Sequence, residues 1–185
     1  MSQSPPAASP LLLRPSVEGD LQAIQAIYAQ AVQEGTGTFE TEVPGVDEMG
    51  RRRAEVLGRN LPWLVAERAG VVLGYAYANY FRPRLAYRFC VEDSIYLAPA
   101  AQGQGVGRLL LAELMARCEA SGARQMLAVI GDAANAGSIG VHTALGFKHT
   151  GVLKSAGWKF GRWLDVVLMQ RALFSTPVCL KPRAV

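Results

Sequence analysis

The spacing of apolar residues divides the chain into short extended stretches and helices. Leu11-Leu12-Leu13-Arg14-Pro15 reads as a first strand ended by proline. Leu21, Ile24, Tyr28, Ala31 and Val32 then recur at helical spacing with one buried face. Gly35-Thr36-Gly37-Thr38-Phe39 breaks that pattern, a loop runs to Pro44, and Asp47 to Arg59 reads as a second helix with a polar bias. Trp63 to Arg68 and Val71 to Tyr80 are rich in β-branched and aromatic residues. They flank the two-residue break Ala69-Gly70 and predict a hairpin.

Pro83 makes Phe81 to Ala86 irregular, and Phe89 to Leu97 is a strand that leads into a glycine-rich loop. In the helix after the loop, Leu109 to Cys118, the residues Leu110, Leu111, Leu114, Met115 and Cys118 lie on one side. Gln125 to Ile130 is a buried strand, and Asn135 to Leu145 a short helix closed by Gly146. Phe147 to Leu153 and Trp163 to Gln170 finish as strands. Antiparallel strands first, then strands alternating with helices, predict a single α/β domain over residues 11–173. Residues 1–10, rich in Pro, Ser and Ala, are expected to be a disordered tail, and 174–185 a C-terminal tail.

Composition narrows the function classes. Half of the 185 residues are hydrophobic and only 18% are charged, which fits one packed core. The net charge of +4 suits an anionic ligand but is too small to imply nucleic acid. Arg51-Arg52-Arg53 reads as the solvated face of a surface helix. Cys90, Cys118 and Cys179 have no metal-ligand spacing, and no metal is expected; free thiols fit a reducing compartment. Met1 to Pro10 lacks the features of a signal peptide, and no apolar run approaches the ~18 residues of a membrane span. A soluble, cytoplasmic protein is expected.

The candidate chemistry begins at Gln102-Gly103-Gln104-Gly105-Val106-Gly107-Arg108. Strand, glycine loop and helix in that order make an anion cradle, because glycines let backbone N–H groups at a helix start approach negative charge. No Lys-Ser or Lys-Thr pair ends the loop, which excludes a P-loop, and Arg108 stands where a dinucleotide fingerprint needs its third glycine. The residues alone leave either a phosphate-bearing ligand or a glycine-rich helix start with none.

Gln102, Gly105 and Gly107 resemble the Gln-x-x-Gly-x-Gly pyrophosphate loop of the GNAT superfamily of N-acetyltransferases, which bind acetyl-coenzyme A. Downstream, Asn135-x-x-Ser138-x-x-x-His142-x-x-x-Gly146-Phe147 is similar to that superfamily's Asn-x-x-Ala-x-x-x-Tyr-x-x-x-Gly-Phe. There the Asn meets the coenzyme and the Tyr protonates the leaving thiolate; here His142 takes the tyrosine's place. His142 reads either as a general acid or as a structural histidine bonded to a backbone carbonyl. The other histidine, His149, reads as exposed and inert.

Five further segments, Thr38–Glu42, Pro62–Glu67, Gly74–Ala78, Val91–Tyr96 and Gly157–Asp165, resemble the phosphinothricin and methionine-sulfoximine N-acetyltransferases. The similarity runs from about Leu11 to Leu173. It implies the GNAT fold, a mixed and largely antiparallel sheet flanked by helices. It also implies a homodimer that acetylates the α-amine of a small amino-acid analogue by direct attack on the thioester.

Carried over by position, Glu92 is the expected general base, though it also reads as a strand-end glutamate in a salt bridge. Ile95, Tyr96 and Leu97 would run beside the pantetheine arm, Gly103 to Arg108 (with Gln104 and Val106) around the pyrophosphate, and Asn135 and Ser138 against the coenzyme. Arg82, Arg84 and Tyr87 would line the substrate pocket, and Phe39 would wall it or anchor its own loop. On an extended backbone Arg82, Arg84 and Arg88 share one side, suited to carboxylate or phosphinate oxygens; each alone also reads as a solvated loop arginine. A protein or peptide N-acetyltransferase and a non-catalytic acetyl-CoA-binding module remain the rival readings.

Overall fold

Both residues of the expected turn, Ala69 and Gly70, adopt positive φ (50° and 79°), as tight two-residue hairpins favour. In this computed structural model, which describes residues 9–174, the turn joins β2 (Trp63–Arg68) to β3 (Val71–Tyr80). Around that hairpin stand β1 (Leu12–Pro15), β4 (Cys90–Leu97), β5 (Gln125–Gly131), β6 (Lys148–Lys159) and β7 (Arg162–Ala172). The seven strands form one sheet in the order β1-β2-β3-β4-β5-β7-β6. Every pairing is antiparallel except β4 with β5. The mixed α/β architecture is therefore the one expected. Among the described residues no helix is long and apolar enough to cross a membrane.

Register assigns the faces. Tyr77 stands opposite Ser94, Tyr75 opposite Tyr96 and Asn79 opposite Glu92, so all six side chains leave one face of the sheet. Trp63 stacks on Tyr77 there, ring centroids 4.2 Å apart, and α1 (Leu21–Glu34) lays Tyr28 edge-on to Tyr96 at 4.9 Å. The helix α2 (Val46–Gly58) packs beside α1 on this face. The opposite face carries Ala76, Ala78, Val91, Asp93 and Ile95, and its small residues admit α3 (Val106–Ala120) with Leu110, Leu111 and Leu114 fully buried. The helix α4 (Ala136–Ala144) follows β5.

Two expectations change. The last hairpin is longer than the apolar pattern suggested, because β6 continues past Leu153 to Lys159. The pattern fails at Lys154-Ser155-Ala156, where the register shifts and Ser155 takes φ 50°; Asp165 holds this bulge by accepting from Lys154 Nζ (2.8 Å) and Ser155 N–H (2.9 Å). The arginine triplet of α2 is not one solvated face. Arg51 is exposed, but Arg52 bridges Glu40 and Glu48, and Arg53 donates to Ser16 Oγ at 2.7 Å. The chain from Arg82 to Arg88 is irregular, as Pro83 suggested: a bend followed by a 3-10 turn (Leu85–Tyr87), so its arginines do not share the side of a strand. Cys118 is buried and Cys90 half-buried; Cys179 and most of both expected tails lie outside the described residues.

Candidate active site

The site begins where two strands part. β4 and β5 pair only from Cys90 and Gln125 as far as Asp93 and Ala128. Beyond that point β4 stays paired with β3 through Leu97, which leaves its other edge free. A cavity of about 790 Å³ runs along this parting and is lined from both faces of the sheet. Residues of the α1 side (Ile27, Gln30, Thr38 and Glu92) meet residues of the α3 and α4 side (Asp93, Gly107, Val141 and His142).

At one end lies the glycine loop. Gly103 and Gly105 have φ of 71° and 77°, a left-handed backbone that favours glycine, and Gly105 caps α3. The first helical bond is Leu109 N–H to Gly105 O at 3.2 Å, so the amides of Val106, Gly107 and Arg108 have no partner within the helix. This is why α3 starts three residues before the expected Leu109. Gly107 packs against Leu97 and Ile95: a Cβ there would lie 3.2 Å from Leu97 Cδ1. The structure brings Ile95, Tyr96, Leu97, Gln102, Gly103, Gly107, Asn135 and Ser138 to the cavity wall, whereas Gln104, Gly105, Val106 and Arg108 do not line it. Free amides at a helix start, beside a free strand edge, fit a pyrophosphate joined to an extended amide-bearing arm.

Asn135 caps α4, its Oδ1 accepting from Ser138 N–H at 3.1 Å. One turn on, His142 is 1% exposed, with Phe147 edge-on to its ring. Its Nδ1 lies 2.7 Å from the Ser138 carbonyl oxygen, and its Nε2 lies 3.0 Å from Asp93 Oδ2. Burial works against a charge on the ring, but the Asp93 hydrogen bond, the Asp93 charge and the Ser138 carbonyl outweigh it. The imidazole is held above its ordinary range.

Glu92 is half-buried on the other face of β4. Burial first, and then the Asp93 charge, push its carboxyl upward, while Arg82 pulls it down. No hydrogen bond contributes to that shift. A carboxylate so placed is poised to accept a proton nearer neutrality than a solvated glutamate.

Arg82, Arg84 and Tyr87 are exposed on the loop between β3 and β4 and do not line the cavity. Arg82 lies over the Phe81 ring at 4.4 Å, and Tyr87 meets the same ring edge-on. Phe39 is also absent from the cavity wall. Its ring fills a slot left by two glycines: a Cβ on Gly157 would fall 2.1 Å from Phe39 Cε2, and one on Gly131 3.0 Å from Cε1. Phe39 therefore anchors its own loop. His149 is exposed.

Two residues that sequence reasoning did not select hold this site together. Asp93 is the partner of His142; its only signal was a second acidic residue beside Glu92. Lys159, 4% exposed at the end of β6, donates from Nζ to the carbonyls of Gly35 and Thr38, both at 2.8 Å. Thr38 Oγ1 is in turn 2.9 Å from the Tyr28 hydroxyl. A lysine within Trp158-Lys159-Phe160 gave no sign of burial.

Residues 24–147 match the acetyltransferase (GNAT) family. The chain is 58% identical over 156 residues to the phosphinothricin N-acetyltransferase of Alcaligenes faecalis, covering 84% of this chain and 79% of that one. It is 40% identical over 169 residues to the L-methionine sulfoximine/L-methionine sulfone acetyltransferase of Pseudomonas aeruginosa, covering 89% and 95%. Among solved structures, a GNAT superfamily phosphinothricin acetyltransferase from Sinorhizobium meliloti, in complex with acetyl-CoA, superposes with a TM-score of 0.89 at 46% identity, over 95% of each chain. The parted strands, the glycine loop and these relatives agree: the chain belongs to the GNAT family of acetyltransferases, in the group that holds the phosphinothricin and methionine sulfoximine N-acetyltransferases.

Proposed function

We propose that this protein transfers the acetyl group of acetyl-CoA to the α-amine of a small amino-acid analogue whose side chain ends in a tetrahedral phosphinate, sulfoximine or sulfone. The observation that carries the reading is the cavity through the parting of β4 and β5, with Glu92 on one face and the free amides of α3 at its end. The names of the relatives supply the acceptor class.

Acetyl-CoA supplies an activated acyl group as a thioester; the rest is done by side chains of this chain. The α-amine arrives as an ammonium, which has no lone pair, so Glu92 takes a proton from it directly or through water. The amine then attacks the acyl carbon without a covalent enzyme intermediate. Cys118 is buried with its thiol pushed up to about 12, mainly by burial, and is no nucleophile. His142 provides the proton that the departing sulfur needs. Arg82 and Arg84, on the β3–β4 loop, are proposed to gather the acceptor's carboxylate and oxyanion, and Tyr87 to flank it. Two subunits are expected to associate, in a reducing cytoplasm.

Thiol release from acetyl-CoA with methionine sulfoximine or phosphinothricin tests this reading. Release that answers only to peptides would favour a protein N-acetyltransferase, and no acceptor-stimulated release at all would leave a binding module.

A further inference from the structure

We infer that Asp93 is a positioning residue that docks the His142 ring across the parting of β4 and β5 and keeps a proton on both of its nitrogens. His142 then meets the cavity as an imidazolium. The catalytic consequence rests on the acetyl-transfer reading above; the proton count does not.

The geometry fixes the count. A carbonyl oxygen can only accept, so Nδ1, 2.7 Å from the Ser138 carbonyl, carries a hydrogen. A neutral ring would then turn a bare lone pair at Nε2 toward Asp93 Oδ2, 3.0 Å away. Both side chains are 2% exposed, and Asp93 Oδ1 has no hydrogen-bond partner among the described residues. Without a donor at Nε2 the Asp93 carboxylate would be buried with nothing to compensate it, an arrangement that costs several kcal/mol in general. The pair therefore holds a second proton between Nε2 and Oδ2.

Among the described residues the surroundings do not offer another source of positive charge. From α3, Cys118 lies near Asp93, and the Asp93 charge adds to the burial that keeps its thiol protonated. From α4 the ring meets Ser138, and Phe147 closes the other side. Glu92 leaves β4 on the opposite face and adds only a further negative charge. Across the parting, β5 contributes Ala128 and Ile130, which are uncharged.

The reaction uses that proton. The nitrogen bonds to the acyl carbon, the C–S bond breaks with its electron pair on sulfur, and the proton held between Nε2 and Asp93 Oδ2 passes to the sulfur through water in the cavity. The ring is left neutral and facing the carboxylate, so the pair takes a proton back from water in the cavity. The two protons lost by the ammonium leave through Glu92; one is returned through His142 to the thiol, and one is released.

The chain has two histidines, so ¹⁵N-labelled protein resolves the His142 ring from that of His149. Wild-type His142 should keep both ring nitrogens protonated above the ordinary imidazole value of about 6.5, and Asp93→Asn should lower its midpoint. A wild-type His142 that titrates at or below that ordinary value overturns the inference, whatever the enzyme turns over and whether or not the variant folds. In turnover of methionine sulfoximine, folded Asp93→Asn should lose about tenfold to a hundredfold in kcat. Its alkaline limb should move to lower pH, with KM for acetyl-CoA unchanged. An unchanged limb would contradict the positioning role. Absence of turnover in the wild type would instead strike the acetyl-transfer reading, leaving the ¹⁵N result to stand alone.

Discussion

Glu92 and Asp93 are neighbours in sequence and leave opposite faces of β4. Because the sheet parts just beyond them, both reach one cavity: Glu92 from the α1 side and Asp93, with His142, from the α4 side. One dipeptide thus places the proposed proton acceptor and the partner of the proposed proton donor on two sides of one cavity.

The first prediction concerns Glu92 itself. Glu92→Gln is expected to lose about 10²- to 10⁴-fold in kcat while coenzyme affinity stays as it was. Steady-state rates and calorimetric titration of the coenzyme check this. Near-normal turnover at neutral pH would remove Glu92 as the base.

Arg82 gives a pH test of the same assignment. Its positive charge lowers the Glu92 carboxyl, which burial and Asp93 raise. On the proposed assignment deprotonated Glu92 is the active form, so activity should rise with pH through this group. Arg82→Ala should move that acidic limb to higher pH, and a shift to lower pH would contradict the coupling. Arg84→Ala should instead raise the acceptor's KM and spare that of acetyl-CoA.

Gly157 is predicted to be intolerant of a methyl group. Alanine there would set its Cβ 2.1 Å from the Phe39 ring, and overpacking of this kind costs about 1–3 kcal/mol. Urea unfolding should show that loss, and Phe39→Leu added to Gly157→Ala should recover part of it. Additive losses would mean that the ring does not depend on the glycine slot.

How much of this was legible beforehand follows from range. The Trp63–Arg68 and Val71–Tyr80 hairpin could be read to the residue, because its alternation and its turn are local. The glycine loop and the short helix that begins at Asn135 were readable for the same reason: both are marked by local residue patterns. Asp93 and Lys159 were not, since each partner lies far along the chain, at His142 and at Gly35 and Thr38. Phe39 could be given either role until the sheet set Gly131 and Gly157 on either side of its ring. The loop from Arg82 to Arg88 was legible as irregular at Pro83, but its 3-10 turn at Leu85–Tyr87 was not.

Stability should follow His142 with a definite sign. Its folded pKa is raised above the ordinary value of 6.5, so the contribution of the pair is fully present below that pH. It is lost as pH rises through the higher folded value. The unfolding free energy of the wild type should therefore exceed that of His142→Gln by more at pH 6 than at pH 9. A gap that widens toward alkaline pH would contradict it.

Lys159→Met would leave the Gly35 and Thr38 carbonyls without their donor, at a general cost of about 1–3 kcal/mol. Because both residues line the cavity, KM should rise as well. A loss of stability with unchanged KM would make Lys159 a scaffold residue alone.

The most direct test of the central claim is free-thiol release from acetyl-CoA across a panel of methionine sulfoximine, phosphinothricin, methionine sulfone and peptide N-termini. The account predicts saturable release with at least one of the three small analogues, abolished by Glu92→Gln and absent with peptides. Release that needs peptides, or that survives Glu92→Gln unchanged, would contradict it.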